Sequence, residues 1–256
     1  IARNVAALRA SVTAWRRTGL SVGLVPTMGA LHEGHLSLVR TAKEKCDRVV
    51  ASLFVNPKQF APNEDFDRYP RDEAGDAKLL ASAGCELLFA PDGAAMYPGG
   101  FATSVSVANV SAPLEGEFRP HFFTGVATVV SKLLLQCLPD KAFFGEKDYQ
   151  QLQVIKRMTR DLDIPVEIVG CATVRERDGL AMSSRNAYLS ADQRRIAARL
   201  NHILHDTIKD VRAGGAIATA EAEAQRHLLA AGFDKVDYVA VRDAESLAAI
   251  TDLARP

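Results

Sequence analysis

Two histidines three residues apart are the first groups in this sequence that could do chemistry. His32 and His35 lie in Val25-Pro-Thr-Met-Gly-Ala-Leu-His-Glu-Gly-His35, directly after the apolar run at residues 21–25. A helix beginning there offers unpaired backbone N–H groups and about half a positive charge to an anion such as phosphate. Imidazoles at that place can donate hydrogen bonds to phosphate oxygens as charge develops in a transition state. Gly34, between them, lets backbone come close to a ligand. A zinc pair fits less well, because no third ligand supports it.

Three further polar clusters share this placement just after apolar runs. Asn56-Pro-Lys-Gln59 brings side-chain amides that donate and accept, which suits a substrate with hydroxyl and carboxylate groups. Gly145-Glu-Lys-Asp148, followed by Gln151, sets Lys147 as a point charge for phosphate and Asp148 as an acceptor for ribose hydroxyls or a partner for the lysine. Met182-Ser-Ser-Arg185 combines two hydroxyls with a guanidinium, the components of a phosphate clamp. Taken singly, each also reads as ordinary turn or helix-start chemistry.

The elements that must position these clusters follow from periodicity. Val5, Leu8, Val12 and Trp15 mark a helix over residues 4–18, and residues 21–25 a first strand. A helix through about Cys46 and the continuous apolar run at 48–55 complete a βαβ unit, the second strand being covered on both faces. Helices over 72–84, 125–138 and 147–161 alternate with strands at 86–90, 141–144 and 166–170, which implies a parallel sheet with helices on both faces, a Rossmann-like α/β fold. Ligands of such sheets sit beyond the carboxyl ends of the strands, so the four clusters meet at one rim. The segment 91–120 is irregular, with a short strand expected near 103–107, and its length marks it as functional. Beyond residue 175 the pattern changes. Ser190 caps a helix through about Val211, a second covers about 219–231, and 235–242 alternates as a strand exposed on one face does. The expected organisation is a domain over 1–175 and a smaller α+β domain over 176–256.

Of 256 residues, 48% are hydrophobic, enough for a substantial core, and 31 basic residues balance 31 acidic ones. That balance removes the footprint of a general nucleic-acid binder. The four cysteines are scattered without a CxxC pair, as in a reduced cytoplasmic protein, and no apolar run reaches the length of a membrane span. The N-terminus, which starts at Ile1, lacks the regions of a signal peptide.

Together the motifs are specific. His-Glu-Gly-His resembles the HxGH signature of the nucleotidyltransferase superfamily, and Met-Ser-Ser-Arg a variant of its KMSKS loop. The ordered set of Pro26-Thr-Met-Gly-Ala-Leu-His-Glu-Gly-His, Phe54-Val-Asn-Pro-Lys-Gln-Phe, Tyr69-Pro-Arg, Gly145-Glu-Lys-Asp-Tyr-Gln-Gln and Met182-Ser-Ser-Arg-Asn resembles the pantothenate synthetase family. The match runs from about residue 21 to 190, with weaker support at Val236-Asp-Tyr-Val239.

The resemblance implies ATP-dependent ligation of pantoate to β-alanine through a pantoyl adenylate, with release of AMP and pyrophosphate. By motif, Met28, Gly29, Ala30, Leu31, His32, Glu33, Gly34 and His35 line the ATP phosphates, with His35 at the family's proton-donor position. Gly145, Glu146, Lys147 and Asp148 hold the nucleotide, and Val174, Met182, Ser183, Ser184 and Arg185 complete the adenine and phosphate contacts. Gln59 and Gln151 grip pantoate, Gln59 also reaching β-alanine, with Asn56 and Tyr69 nearby. His32, His35, Lys147 and Arg185 form the implied catalytic set. Mg²⁺ accompanies ATP, held by phosphates and water rather than by protein ligands. A cytoplasmic homodimer is implied, with residues 101–110 and 122–138 available for its interface. One stretch departs from the family pattern: Arg119-Pro-His-Phe-Phe123 stands where the family reads Arg-Pro-Gly-His-Phe, so the family histidine's role passes to neither His121 nor Phe122. Two other readings are a nucleotidyltransferase acting on a phosphorylated acceptor, which the paired glutamines disfavour, and a non-catalytic nucleotide-binding module. An aminoacyl-tRNA synthetase is disfavoured by the neutral charge and the lack of room for a tRNA-binding domain.

Overall fold

A computed structural model describes residues 1–253. The chain opens with α1 (Val5–Arg17), whose first turn is fixed where Asn4 accepts the Ala7 N–H at 2.9 Å, a side-chain N-cap. β1 (Val22–Thr27), α2 (Glu33–Lys45) and β2 (Arg48–Leu53) form the first βαβ unit. There follow α3 (Glu73–Ser82), β3 (Leu87–Phe89), α4 (Gly93–Met96), α5 (Glu115–Phe118), α6 (Phe122–Cys137), β4 (Lys141–Gly145), α7 (Tyr149–Asp161) and β5 (Glu167–Cys171). Two long helices, α8 (Ala191–Arg212) and α9 (Ile217–Ala230), come last. Short 3₁₀ turns at Pro57–Gln59, Glu146–Asp148 and Ser184–Tyr188 carry three of the four clusters.

The five strands are parallel in the order β3-β2-β1-β4-β5, so the connection direction reverses between β1 and β4. That switch point is where an open parallel sheet leaves a crevice at its carboxyl end. The sheet is buried on both faces, and its side chains alternate between two cores. Leu24 and Val50 join α1, α6 and α7 on one side, while Val25, Val49 and Ala51 join α2 and α3 on the other. This is why both central strands read as unbroken apolar runs.

Helix α6 is apolar nearly all round because it is buried nearly all round, from Phe123 to Cys137. It lies so close to the 3₁₀ turn at Pro57–Gln59 that a Cβ on Gly125 would stand 2.2 Å from the Lys58 carbonyl oxygen. Asn56 Nδ2 donates to the Gly125 carbonyl at 3.1 Å across the same contact. The glycine therefore sets how near the second cluster lies to the helix.

Two expected strands do not form. At 103–107, Val105 and Val107 face the core, but the Val105 N–H donates to Thr128 Oγ1 at 2.9 Å instead of to a neighbouring strand. At 235–242, Val236 and Val239 pack against Ile203 of α8 and Leu228 of α9, and Val241 against Val211 and Ile217. Their periodicity comes from lying on a helix pair. Among the described residues the α+β character expected beyond 176 reduces to two helices, an extended strap and isolated bridges such as Arg242–Ala249. Residues 254–256 of that expected domain lie outside the described residues.

Candidate active site

One cavity of about 500 Å³ opens at the carboxyl end of the sheet, and all four clusters reach it. The opening turn enters from β1, Asn56 and Gln59 from β2, residues 145–148 from β4 and Val174 from beyond β5. The Met-Ser-Ser-Arg loop joins them because the Met182 N–H donates to the Val174 carbonyl at 3.0 Å, closing the turn that separates them.

The turn itself rests on a residue no motif points to. Asp76, in the first turn of α3 and only 4% exposed, accepts the Ala30 N–H at 2.9 Å and the Leu31 N–H at 2.8 Å. Ala30 has a φ of 51°, the left-handed region that costs a non-glycine residue strain, and the buried carboxylate holds it there. The Ala30 carbonyl accepts from Ser184 Oγ at 2.9 Å, tying this turn to the Met-Ser-Ser-Arg loop.

His32 is the N-cap of α2. Its Nδ1 accepts the Gly34 N–H at 3.2 Å, and His35 Nδ1 takes the His32 N–H at 3.4 Å, a reciprocal capping box. Gly34 makes room for this: a Cβ there would stand 2.9 Å from His32 Cε1. With both Nδ1 atoms accepting, the proton of each neutral ring sits on Nε2. The rings lie 4.1 Å apart between centroids. Burial pushes the His35 imidazole down to about 3, helped by His32 and by the charge of Lys147. Burial and Lys147 also lower His32, against Glu176. At neutral pH both rings are uncharged hydrogen-bond donors.

Gln59 is 8% exposed, and its Nε2 donates only to the soft sulfur of Met28 at 3.0 Å, a weak acceptor. Asn56, 1% exposed, is fully occupied. Its Nδ2 donates to Gln59 Oε1 and to Gly125, while its Oδ1 accepts from Tyr97 Oη at 2.8 Å and from the Lys58 N–H at 3.3 Å. Asn56 thus orients Gln59 instead of offering groups of its own. Lys147 stands 3.1 Å from Asp148 Oδ1. Arg185 donates to Asp65 and lies over the Tyr69 ring at 5.7 Å.

Sixteen of the implied positions, including His32, His35, Gln59, Lys147, Gln151 and Arg185, line the cavity. Gly29, Ala30, Leu31, Glu33 and Glu146 do not. Ala30 and Leu31 have their amides committed to Asp76, Leu31 packs into the core beneath α2, and Glu33 turns away to pair with Arg40. Sequence reasoning missed the apolar wall of Val126, Val130 and Leu133 from α6, although the strength of that helix's apolar signal was visible. It also missed Arg119, held by Glu64 and Glu115 and stacked on Phe122 at 4.1 Å, and Gln150, whose side chain pins the Val110 and Pro113 carbonyls.

The sequence profile of the pantoate-beta-alanine ligase family matches residues 1–255. The chain belongs to this ligase family. It is 64% identical to the pantothenate synthetase of Paramagnetospirillum magneticum over 256 residues, all of this chain and 90% of that protein. Identity to the Caulobacter vibrioides pantothenate synthetase is 60%, over 96% of this chain and 87% of that one. The crystal structure of Thermus thermophilus pantothenate synthetase matches with a TM-score of 0.93 at 49% identity, over 98% of this chain and 90% of that one. A Francisella tularensis pantoate-beta-alanine ligase, complexed with beta-gamma ATP and beta-alanine, matches with a TM-score of 0.80 at 36% identity, over 90% of this chain and 85% of that one. Pantoate–β-alanine ligation, the formation of pantothenate, is therefore the reaction of this ligase.

Asp76→Asn keeps the shape but turns an amide nitrogen toward one of the two N–H donors. Urea denaturation should read a loss of about 1–3 kcal/mol for the orphaned donor, and unchanged stability would mean the turn holds without the carboxylate. The histidines give a pH signature. As pH falls through 6.5 the unfolded chain takes up a proton at His35 that the folded chain refuses until about 3, so stability present above 6.5 drains away between those values. The limiting slope is about 1.4 kcal/mol per pH unit. His35→Gln should show a shallower fall in urea midpoint between neutral and acid pH; an identical fall in parent and variant would place the effect elsewhere.

Proposed function

We propose that the ligase works in two steps within this single cavity. In the first, a pantoate carboxylate oxygen attacks the α-phosphorus of ATP, the new P–O bond forms, and the bond to pyrophosphate breaks. In the second, the β-alanine amine attacks the acyl carbon of the adenylate, AMP departs with the electron pair of the broken C–O bond, and the amine loses a proton. The adenylate is needed because a carboxylate at neutral pH has no adequate leaving group of its own.

One observation carries this reading: phosphate-type donors and amide donors backed by an apolar wall share one cavity. His32, His35, Lys147 and Arg185 line it together with Gln59, Gln151 and the Val126, Val130 and Leu133 wall of α6. The wall suits pantoate's branched carbon skeleton, and Gln59 gives up only a thioether contact to take a carboxylate or hydroxyl. With its value near 3, His35 acts as a neutral Nε2–H donor to charge developing on the departing pyrophosphate, in place of the implied proton donor. ATP enters with Mg²⁺. No cluster of three His, Cys, Asp or Glu among the described residues could cage a metal, so phosphate oxygens and water would hold the ion, as it prefers. There it would neutralise charge on the phosphates.

Residues 176–253 are assigned as a lid that closes over the adenylate to exclude water, with Tyr238 and the 183–185 loop at the cavity. A homodimer through the sheet-bearing part is supported by Leu135 and Leu138, large apolar side chains left exposed on α6 and just beyond it. No helix among the described residues is long and apolar enough to cross a membrane, and all four cysteines are free thiols, which supports a reducing, cytoplasmic setting.

His35→Ala should lower pyrophosphate release with ATP and pantoate by roughly 10²–10³, while the parent forms stoichiometric AMP only when β-alanine is added. Near-normal pyrophosphate release by the variant would refute the role given to His35. Small-angle scattering should read twice the monomer mass and a smaller radius of gyration with ATP and pantoate together. A monomer mass removes the dimer, and an unchanged radius removes closure.

A further inference from the structure

The loop at residues 61–69 carries two successive carboxylates, and each holds an arginine of the cavity. Glu64 accepts from Arg119 Nε at 2.7 Å, and Asp65 accepts from Arg185 Nε at 2.9 Å and Nη2 at 2.8 Å. The loop is firmly built for an irregular segment. Arg71 staples it from below, donating to the Phe66, Asp67 and Tyr69 carbonyls, and the rings of Phe66 and Tyr69 both pack against Phe60. Tyr188 Oη reaches the Arg68 carbonyl at 3.2 Å, so the Met-Ser-Ser-Arg segment is bound to the same loop at a second point.

We propose that Asp65 is a positioning residue for the adenylation step, fixing Arg185 so that its free edge meets the triphosphate of ATP. This rests on the assignment of Arg185 to the ATP phosphates. The contact is bidentate and side-on, a geometry that fixes the plane of a guanidinium as well as its place. It uses Nε and one N–H of Nη2, leaving Nη1 with both its N–H groups and the second N–H of Nη2 as a fork for phosphate oxygens. Arg185 is half exposed and Asp65 is 16% exposed, so as a source of stability the pair is worth little. Its effect is on freedom. An unheld arginine at the mouth of the cavity would sample many rotamers, and each ATP would have to order it anew. The Tyr69 ring beneath the guanidinium limits it from another side. Because the aspartate also offsets the arginine's charge, its removal should affect the rate of the ordered complex more than the attraction of ATP into the cavity.

The test is a double-mutant cycle on the full chain, read as steady-state pyrophosphate release with ATP, pantoate and saturating β-alanine, so that the enzyme turns over. Asp65→Ala should lower kcat by about tenfold or more while the KM for ATP moves less than about threefold, and Asp65→Glu should bring kcat back to within about threefold of the parent. In an Arg185→Ala background the further loss from Asp65→Ala should be less than about twofold, because the residue acts through the arginine. Thermal melts of each variant control for folding, and Asp65→Asn replaces Asp65→Ala in the cycle if the alanine variant melts early. The proposal is overturned if the aspartate substitution costs the same factor in both backgrounds, or if kcat stays within about twofold of the parent in the single variant. If Arg185→Ala alone leaves adenylation intact, the assignment of that arginine to phosphate fails first, and a result confined to the Asp65 arm leaves that assignment standing.

Discussion

A buried carboxylate beneath the first turn after β1 supports much of what the site does. Asp76 takes two consecutive backbone N–H groups, and by doing so it holds Ala30 in a left-handed conformation. The chain then leaves the strand in the one direction that brings His32 to the start of α2. Without an acceptor there, two amides would be buried unpaired, a cost comparable to a sizeable fraction of a domain's net stability. The same turn supplies the carbonyl that Ser184 binds, so a residue on α3 indirectly fixes a loop more than a hundred residues later in the chain.

The cavity brings two kinds of recognition to one place. Charged and imidazole donors gather where β1, β4 and the 182–185 loop meet, at the switch point of the sheet. Gln59 and apolar surface gather where the β2 turn meets α6, brought close by the missing side chain of Gly125, and Gln151 joins them from the first turn of α7. A reaction that moves the adenylyl group of ATP onto the carboxylate of a branched hydroxy acid needs both surfaces within reach of one phosphorus atom. The fold supplies that proximity by placing β4 beside β1, after the chain crosses over from β3, before any side chain is chosen.

Much of this was legible in the sequence, for identifiable reasons. The strands announce themselves because burial on both faces demands unbroken apolar runs, and the four clusters announce themselves because each is contiguous in the chain. What the sequence concealed depends on partners distant in the chain. Asp76 looks like any acid in a helix's first turn, Asp65 like loop polarity, and Arg119 like a basic residue in an irregular segment. Gly34 was readable as a place for close approach, and the group that comes close to it in the structure is the ring of His32, two residues away. The strand expected over 235–242 failed because valines lying along a helix pair imitate the alternation of a half-exposed strand. Asn56 was readable as a residue near the substrate, but the internal partners by which it supports Gln59 at the cavity wall were not.

The choice of capping group at α2 has an electrostatic consequence. Helix starts are most often closed by serine, threonine, aspartate or asparagine, and an aspartate would satisfy these N–H groups well. It would also cancel the positive end of the helix dipole at the place where a polyanion is to be bound. Two imidazoles, kept uncharged by burial and by the charge of Lys147, close the helix geometrically while leaving its field intact. The acid that does occupy the first turn, Glu33, faces away and is matched by Arg40. The cavity therefore meets the triphosphate with a helix terminus whose hydrogen bonds are partly satisfied and whose potential remains positive.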